Sequence, residues 1–358
     1  MDEKIKPIHF TATDGEPWEL HQPAFLVGNG INYADGCKLS WEKLLVNVFP
    51  EEMQNNFKNN ADTNLFFKFN NASTSVQISI DISKQNNLEV QLPGLTYPEI
   101  AELARLHLKK ANKNNAKKIP SIKAQIAEQL DKMEKENEGK NEKLKKFVTF
   151  CKDHHIPILT ANFDHRLHLD FDKKIKEPFW FYTQEEEKNK RLLNHIHPFR
   201  AYFAENEINP DNINNEFAVW HIHGTKTYLD SICINHVDYA RNIAKIDELI
   251  HKKEKIIESD WPGKNSWINI FMNNDLIIMG FALDSEETDL RWLLRERTIY
   301  RNYLISKNIG PVAKTIYIYR KEEAETEMPA GKRALFKALD IECVEMPQDE
   351  IYKLDYLK

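Results

Sequence analysis

Short apolar runs alternate with amphipathic stretches along most of the chain. The run Ala24–Val27 ends at a glycine turn, and the run Ile156–Leu159 ends at Thr160. Both have the length and the boundaries of buried strands. Five further runs have the composition of strands, and four stretches have the spacing of amphipathic helices. The strands are predicted at Phe179–Tyr182, Phe217–Ile222, Ser231–Ile234, Leu276–Met279 and Thr315–Tyr319, and the helices at Val237–His251, Ser266–Asn273, Glu286–Tyr300 and Gly331–Leu339.

This alternation of short strands and helices predicts the fold class. Apolar strands separated by helices form parallel sheets that are covered on both faces. We therefore expect an α/β fold with a Rossmann-like, doubly wound, mostly parallel sheet. Residues 50–150 separate two strands of that sheet, and the part from Glu99 to Phe150 has helical spacing. The prediction is one α/β domain over residues 1–358, with a mostly helical insertion at 50–150. A further helix is predicted to begin at Ser40 and to include Trp41.

Composition narrows the classes of partner. The 358 residues are 41% apolar and carry a net charge of −6, so the chain lacks the basic excess of a protein that coats nucleic acid. No apolar run approaches the roughly 18 residues that a membrane helix needs. The four cysteines are isolated and form neither a disulfide pattern nor a four-cysteine zinc module: Cys37, Cys151, Cys233 and Cys343. We expect a cytoplasmic protein without membrane or direct nucleic-acid contacts.

A glycine motif follows the first strand as Gly28-Asn29-Gly30-Ile31-Asn32. Glycines at such a place let the backbone approach a phosphate, and free N–H groups can bind the anion. A plain tight turn is the alternative. Tyr33 stands where the dinucleotide-binding fingerprint has its third glycine, so the fingerprint is incomplete.

A polar motif, Thr160-Ala161-Asn162-Phe163-Asp164, follows the strand at Ile156–Leu159. Ligands of doubly wound sheets bind beyond the carboxyl ends of the strands. The motif places a hydroxyl, an amide and a carboxylate there. Asp164 has an equally simple alternative role as the N-cap of a helix.

Two histidine pairs have the same spacing, one in Trp220-His221-Ile222-His223-Gly224 and the other at His195 and His197. Alternate residues on a strand face the same side, and histidine can act as a base near neutral pH. The pairs also permit a metal site with imidazole ligands, and each histidine could simply be structural.

A last turn follows the strand at Leu276–Met279 and reads Gly280-Phe281-Ala282-Leu283-Asp284, with Asp289-Leu290 shortly after it. A strand, a turn of small residues and a helix start form a place where a nucleotide can meet backbone N–H groups. Taken alone, the pattern is typical of any α/β protein.

In this order the four motifs resemble those of the sirtuin superfamily. GNGIN is similar to its Gly-Ala-Gly-Ile-Ser loop, TANFD to its Thr-x-Asn-hydrophobic-Asp motif, HIHG to its catalytic His-Gly strand, and GFALD to its late Gly-Phe-Ser turn. Deacylating sirtuins have a zinc module of two cysteine pairs and a Gly-Ile-Pro-Asp-Phe-Arg segment, which are both missing here. The Ser40-Trp41 pair and the aromatic Phe163 are similar to the sirtuin-like NADases of bacterial antiphage systems.

The resemblance implies an NAD+ glycohydrolase that releases nicotinamide and ADP-ribose, with NAD as the substrate and no metal. By resemblance the catalytic residues are Asn162, His223 and Asp164, with His221 as support, and the residues that bind NAD are Gly28, Gly30, Asn32, Thr160, Gly280 and Phe281. It also implies NAD depletion on phage infection, a homo-oligomer, and a separate sensor or HerA-type ATPase as partner. Three alternatives remain: an NAD-dependent protein deacylase, a metal-dependent hydrolase that uses the histidine pairs, and a non-catalytic module that senses NAD or ADP-ribose.

Overall fold

A computed structural model describes most of the chain: residues 8–11, 18–37, 44–45, 65–71, 74–80, 96–114, 120–168, 178–181, 199–251, 256, 261–283, 287–320 and 328–357. The strands in these ranges are β1 (Ile8–Phe10), β2 (Trp18–Leu20), β3 (Pro23–Val27), β4 (Leu65–Asn71), β5 (Thr74–Ile80), β6 (Ile158–Thr160), β7 (Phe179–Trp180), β8 (Ala201–Tyr202), β9 (Val219–His221), β10 (Asp275–Met279), β11 (Thr315–Arg320) and β12 (Glu342–Met346). The helices are α1 (Gly30–Ala34), α2 (Tyr97–Asn114), α3 (Ile122–Glu136), α4 (Glu142–Asp153), α5 (His236–His251), α6 (Trp267–Asn273), α7 (Thr288–Lys307), α8 (Ala330–Ala338) and α9 (Gln348–Ile351). Short 3₁₀ turns lie at Arg166–His168, Ile213–Asn215 and Leu229–Ser231.

The centre of the fold is a six-stranded sheet with the order β9-β6-β3-β10-β11-β12. Each pair of neighbouring strands in it is parallel. The expected α/β class with a mostly parallel sheet is therefore confirmed. The chain runs outward from β3 through β6 to β9 and then returns to β10 on the other side of β3. The strand order reverses between β3 and β10, which is where parallel α/β sheets open a crevice at their carboxyl ends.

Both faces of the sheet are buried, and the strands divide their residues between two cores. On β3, Ala24 and Leu26 belong to one core, whereas Phe25 and Val27 belong to the other. Helices α5, α6, α7 and α8 cover the first face, and α4, α9 and the β1–β2 hairpin cover the second. Because both sides of each central strand are apolar, the sequence shows continuous hydrophobic runs there instead of alternation.

A third core joins α2 and α3 to the loops that follow β6 and β9. Ile126 of α3 is fully buried there, together with Phe163 and Ile232 from the two loops. Helix α4 packs instead on the sheet, where the Phe147 ring meets Phe25 edge-on with 4.9 Å between centroids. Within residues 50–150, α2 and α3 thus form a layer of their own over the carboxyl end of the sheet. The antiparallel β4–β5 hairpin lies in the same part of the sequence.

Most predicted elements are present, with one clear error. The strand expected at Ser231–Ile234 is wrong, because the chain forms a 3₁₀ turn at Leu229–Ser231 instead. The Ser231 hydroxyl stabilises this turn, since it donates to the Tyr228 carbonyl at 2.6 Å and accepts from the Thr225 N–H at 3.0 Å. The helix start expected at Ser40 and Trp41 lies outside the described residues. None of the described helices is both long and apolar enough to span a membrane.

Candidate functional site

A cleft of about 350 Å³ opens at the carboxyl ends of the central strands, at the point where the strand order reverses. Its walls come from the turns after β3, β6, β9 and β10 and from the start of α2. Its lining includes Asn29, Tyr33, Tyr97, Ala161, Asn162, His223, Tyr239, Gly280, Phe281 and Glu287. All four sequence motifs, which are far apart along the chain, therefore reach this cleft. The predicted site residues among its lining are Asn162, His223, Gly280 and Phe281, and the glycine motif contributes Asn29.

A second cavity of about 580 Å³ adjoins the first. The two share Tyr33, Gly280 and Phe281 as lining residues. The second cavity extends over the carboxyl end of β11 toward Lys332 of α8 and Tyr352. The two cavities form an elongated depression across the switch point of the sheet.

The glycine motif holds two turns of the site against each other. The N–H of Gly28 donates to the Met279 carbonyl at 3.0 Å, and the N–H of Gly30 donates to the Gly280 carbonyl at 2.9 Å. A Cβ atom on Gly28 would lie 2.4 Å from the Gly280 oxygen, which no side chain can accommodate without a backbone shift. These two N–H groups, expected to bind a phosphate, are thus engaged within the protein. Asn29 and Tyr33 are the residues of this loop that line the cleft.

Asn32 and Asp164 lie beneath the cleft, where they brace its floor. The Asn32 Nδ2 donates to the Asp164 Oδ2 at 3.0 Å, and its Oδ1 accepts from Arg166 Nη1 at 3.2 Å. The Asp164 Oδ1 accepts the Arg166 N–H at 3.1 Å, which caps the 3₁₀ turn. Both side chains are almost completely buried and neither lines the cavity. The contacts of Asp164 are thus those of a capping residue, which is the alternative role given to it above. Asn32 links the turn after β3 to the turn after β6.

Asn162 faces the cleft, and Thr160 holds the loop that carries it. The Thr160 hydroxyl donates to the Val27 carbonyl at 2.9 Å and accepts from the Asn162 N–H at 3.1 Å. The Asn162 Nδ2 donates to the Gly28 carbonyl at 3.2 Å. A carbonyl oxygen can only accept, so this bond fixes the amide with its Oδ1 turned away from Gly28. Asn162 is thus rigidly oriented at the cleft wall.

His223 also faces the cleft, and its imidazole is paired with a buried carboxylate. Its Nε2 lies 2.9 Å from Asp289 Oδ2, which also accepts from Asn242 Nδ2 at 3.1 Å. Burial disfavours the imidazolium, but the charge and hydrogen bond of Asp289 outweigh it and raise the pKa of His223. Burial likewise opposes ionisation of Asp289, but the positive charge and hydrogen bond of His223 lower its pKa overall. Because a carboxylate accepts, Nε2 carries the proton and Nδ1 is the basic nitrogen.

Gly224, directly after His223, has a backbone conformation that the loop requires. Its φ of +92° lies in the left-handed region, which favours glycine. A Cβ atom there would lie 2.1 Å from the Ser231 carbonyl oxygen. The glycine therefore lets the loop after β9 fold back tightly onto the turn at Leu229–Ser231.

His221 belongs to a separate cluster with His165 and His168. Its Nδ1 lies 2.7 Å from the Asn162 carbonyl oxygen, and its Nε2 lies 3.0 Å from His168 Nε2. Burial lowers the pKa of His221 to about 4 and that of His165 to about 2, so these imidazoles are neutral at pH 7. His221 and His223 therefore have different partners, because β9 ends at His221 and the chain turns after it. The second pair, His195 and His197, lies outside the described residues.

Several site residues were not predicted from the sequence. In the sequence, Asp289 belongs only to the late turn. Asn242, Tyr239 and Glu287 carry no signal, because α5 and α7 reach the site only through tertiary packing. His165 had a usable signal, since it stands three residues before His168 and directly after the Asn162 motif.

Comparison with protein-family models and with curated proteins gives no match for this chain. The cleft and its residues are therefore the basis on which a function can be inferred. Asn162, His223, Gly280 and Phe281 line it, and Gly30 lines the adjoining cavity. Gly28, Asn32, Thr160 and Asp164 line neither cavity and instead hold the surrounding turns together.

Proposed function

We propose that this protein is an NAD+ glycohydrolase, which cleaves the bond between nicotinamide and ribose to release nicotinamide and ADP-ribose. One observation carries the proposal: Asn162 and His223, assigned separately from two sequence motifs, line a single cleft together with the Gly280-Phe281 turn. The cleft lies at the switch point of a parallel sheet, where nucleotides bind in folds of this kind.

The sheet and the two cavities have the form that a dinucleotide requires. Numbered along the chain, the six strands have the order 3-2-1-4-5-6, which is that of dinucleotide-binding Rossmann folds. We therefore propose a Rossmann-like fold. One dinucleotide would extend across both cavities, with the nicotinamide ribose beside Asn162 and the remainder over Phe281 toward β11. Gly280 lines both cavities and so lies at their junction. Its φ of +69° favours glycine, and a Cβ atom there would lie only 3.1–3.2 Å from Tyr352 Oη and the backbone of Gly28 and Ile31.

The reaction needs little acid catalysis, because nicotinamide leaves as a neutral molecule from a cationic ribosyl nitrogen. It requires a site that shields and stabilises the oxocarbenium-like ribose and orients the attacking water. Glu287 contributes a carboxylate to the cleft wall, and Asp289 contributes a second negative charge behind His223. Positive charge moves from the nicotinamide ring to the ribose as the bond breaks, so negative charge beside the ribose would favour the transition state over the bound substrate.

Asn162 and His223 supply the polar contacts to the reacting ribose. With its Nδ2 held by the Gly28 carbonyl, Asn162 presents Oδ1 as an acceptor for a ribose hydroxyl or the attacking water. His223, with Nε2 held by Asp289, accepts a proton at Nδ1 from that hydroxyl or water. Asp289 thus acts as a positioning residue that keeps the imidazole in its basic tautomer. Asp164 acts indirectly, because it orients Asn32 and with it the turn after β3.

The proposal is tested by measuring free nicotinamide after purified protein is incubated with NAD. We expect Asn162→Ala and His223→Ala each to lower kcat by about 100-fold or more, the size of a general-base or positioning contribution. Asn302→Ala is the matched control, since Asn302 is exposed on α7 and lies about four helical turns beyond Glu287. Full activity of either site variant would refute the assignment. Tight NAD binding without turnover would favour the alternative of a sensing module.

The biological setting is proposed from the sequence resemblance alone. NAD depletion in antiphage defence, assembly into a homo-oligomer and activation by a separate sensor or HerA-type ATPase are properties of the sirtuin-like NADases that the four motifs resemble. An enzyme of this kind would be silent until its partner signals infection. The nicotinamide assay is therefore to be repeated in the presence of candidate partners.

A further inference from the structure

Three histidines lie close together near the backbone of Asn162, and none of them lines the cleft. Each of His165, His168 and His221 offers a ring nitrogen, and these three atoms lie within 4.8 Å of one another. His165 and His168 belong to the turn after β6, and His221 ends β9. The cluster therefore joins two neighbouring strand ends at the base of the candidate site.

We propose that His165, His168 and His221 bind a divalent transition-metal ion, with Zn²⁺ as the ion best suited to three imidazoles. The resemblance implied no metal, and the alternative of a metal-dependent hydrolase used the paired histidines, His195 with His197 and His221 with His223. The geometry points to a set that combines one member of a pair, His221, with two histidines of the turn that follows Asn162. Neutral imidazole nitrogen is a preferred ligand of Zn²⁺, Cu²⁺ and Ni²⁺.

The hydrogen bonds of His221 set its ring for metal binding. The Asn162 carbonyl can only accept, so the His221 nitrogen 2.7 Å away, Nδ1, carries the proton. The Nε2 atom of His221 then presents a lone pair to His168 Nε2 at 3.0 Å. A ring N–H that donates to a backbone carbonyl while the other nitrogen is a ligand is the usual arrangement of metal-binding histidines.

The nitrogen separations fit one shared ion. Two imidazoles bound to tetrahedral Zn²⁺ at about 2.0–2.1 Å have nitrogens about 3.3 Å apart. His168 and His221 are already close to that value. The other nitrogen separations are at most 4.8 Å. Side-chain movements of roughly 1 Å would bring these nitrogens to the spacing that one ion needs. Three imidazoles leave a fourth position for water or for the hydroxyl of Thr225, which lies 2.6 Å from His165 Nε2.

The residues around the three histidines are compatible with a bound cation. The Phe203 ring covers the cluster, with its centroid 4.3 Å from that of His168. Lys226 brings positive charge to this side, but it is neutralised by Asp131 and Glu134, whose oxygens lie 2.5 and 2.6 Å from its Nζ. The carboxylate of Asp164 adds negative charge near His221. A bound ion would therefore lie beneath one aromatic ring, with compensating carboxylates nearby.

A metal ion bound to these histidines would help to hold Asn162 in place at the cleft. Because His221 donates to the main-chain carbonyl of Asn162, a metal that fixes His221 also fixes the backbone of the residue that faces the cleft. The ion would hold the turns after β6 and β9 together, and no step of the NAD reaction passes through it.

The test is metal uptake by the full chain after treatment with a chelator. In equilibrium dialysis against Zn²⁺ we expect about one ion per chain for the wild type. His165→Gln and His168→Gln are each expected to weaken binding by more than the 10–100-fold typical of losing a supporting partner. His251→Gln is the matched control, because His251 is half exposed on α5 and is expected to leave uptake unchanged. Equal uptake by all four proteins would overturn the proposal.

A second measurement does not depend on how the variants fold. X-ray absorption at the zinc edge of the wild-type protein is expected to show three imidazole nitrogens at about 2.0 Å. A spectrum with sulfur or mainly oxygen ligands, or no retained zinc, would also overturn the proposal. Neither outcome bears on Asn162 and His223 as cleft residues, so failure of the metal site and failure of the NADase proposal can be told apart.

Discussion

Replacement of Asp289 by Asn tests how the site makes His223 basic. The change keeps the shape of the side chain but removes the negative charge that lies 2.9 Å from the imidazole. The Asp289 side chain is about 2% exposed and that of His223 about 7%, so solvent does little to screen the pair. A buried hydrogen bond to a charged group contributes roughly 1.5–3 kcal/mol. If that contribution supports the imidazolium formed in the transition state, its loss lowers kcat by about 10–150-fold.

The pH dependence of the same variant provides a second readout. In the wild type the pKa of His223 is raised by Asp289, and the base must be neutral to act, so activity rises as pH increases through that pKa. Without the carboxylate the pKa of His223 falls. The acid limb of the kcat profile of Asp289→Asn should therefore move to lower pH, although its plateau is lower.

The His223–Asp289 pair also makes the stability of the fold depend on pH. The raised pKa of His223 contributes stability that is complete below the unfolded-state value near 6.5 and is lost as pH rises through the folded pKa. The lowered pKa of Asp289 contributes stability that is complete above about 4 and is lost as pH falls. The variant should be least stable relative to wild type between about pH 4 and 6.5. Unchanged kcat, acid limb and Tm, matching the exposed control Asp211→Asn, would refute the role given to the pair.

Three further substitutions test the packing of the fold by chemical denaturation, two of them at the turns of the site and one at the amino ends of β10 and β11. Gly28→Ala places a Cβ 2.4 Å from the Gly280 carbonyl and should cost about 1–3 kcal/mol, whereas Gly331→Ala, in open space on α8, should not destabilise. Gly224→Ala at φ +92° meets a facing carbonyl at 2.1 Å and should cost at least as much; equal stability would mean that the loop relaxes freely. Arg297→Lys should cost about 3 kcal/mol or more, because one ammonium cannot replace a buried guanidinium that donates to three carbonyls and a hydroxyl; a loss below about 1 kcal/mol would contradict this.

Central strands of the sheet were predictable from the sequence because burial on both faces makes them continuously apolar. The runs at Ala24–Val27 and Leu276–Met279 fall within β3 and β10. The sequence does not predict the edge strand β12, because its segment ECVEM has only two buried residues and forms neither a continuous apolar run nor a strict alternation. The strand predicted at Ser231–Ile234 failed because side-chain hydrogen bonds of Ser231 make a turn more favourable than extended pairing. Local pattern cannot report such bonds.

The sequence predicts those site residues that lie in motifs at the ends of strands. Asn162 and His223 follow β6 and β9, and parallel strands bring those ends together. Asp289 and Asn242 were not predictable as site residues, because they meet His223 only when α5 and α7 pack across the first face. The sequence also could not show that Asn32 and Thr160 would be used internally, since that depends on contacts between turns that are over a hundred residues apart.

The most direct test of the central claim is NMR of NAD incubated with the wild-type protein, alone and with an acetyl-lysine peptide. The account predicts that nicotinamide and ADP-ribose appear in equal amounts, at the same rate with or without the peptide, which remains acetylated. Nicotinamide release that requires the peptide and deacetylates it would contradict the account and support a deacylase. NAD that binds but stays intact, with candidate partners present, would contradict catalysis in this cleft.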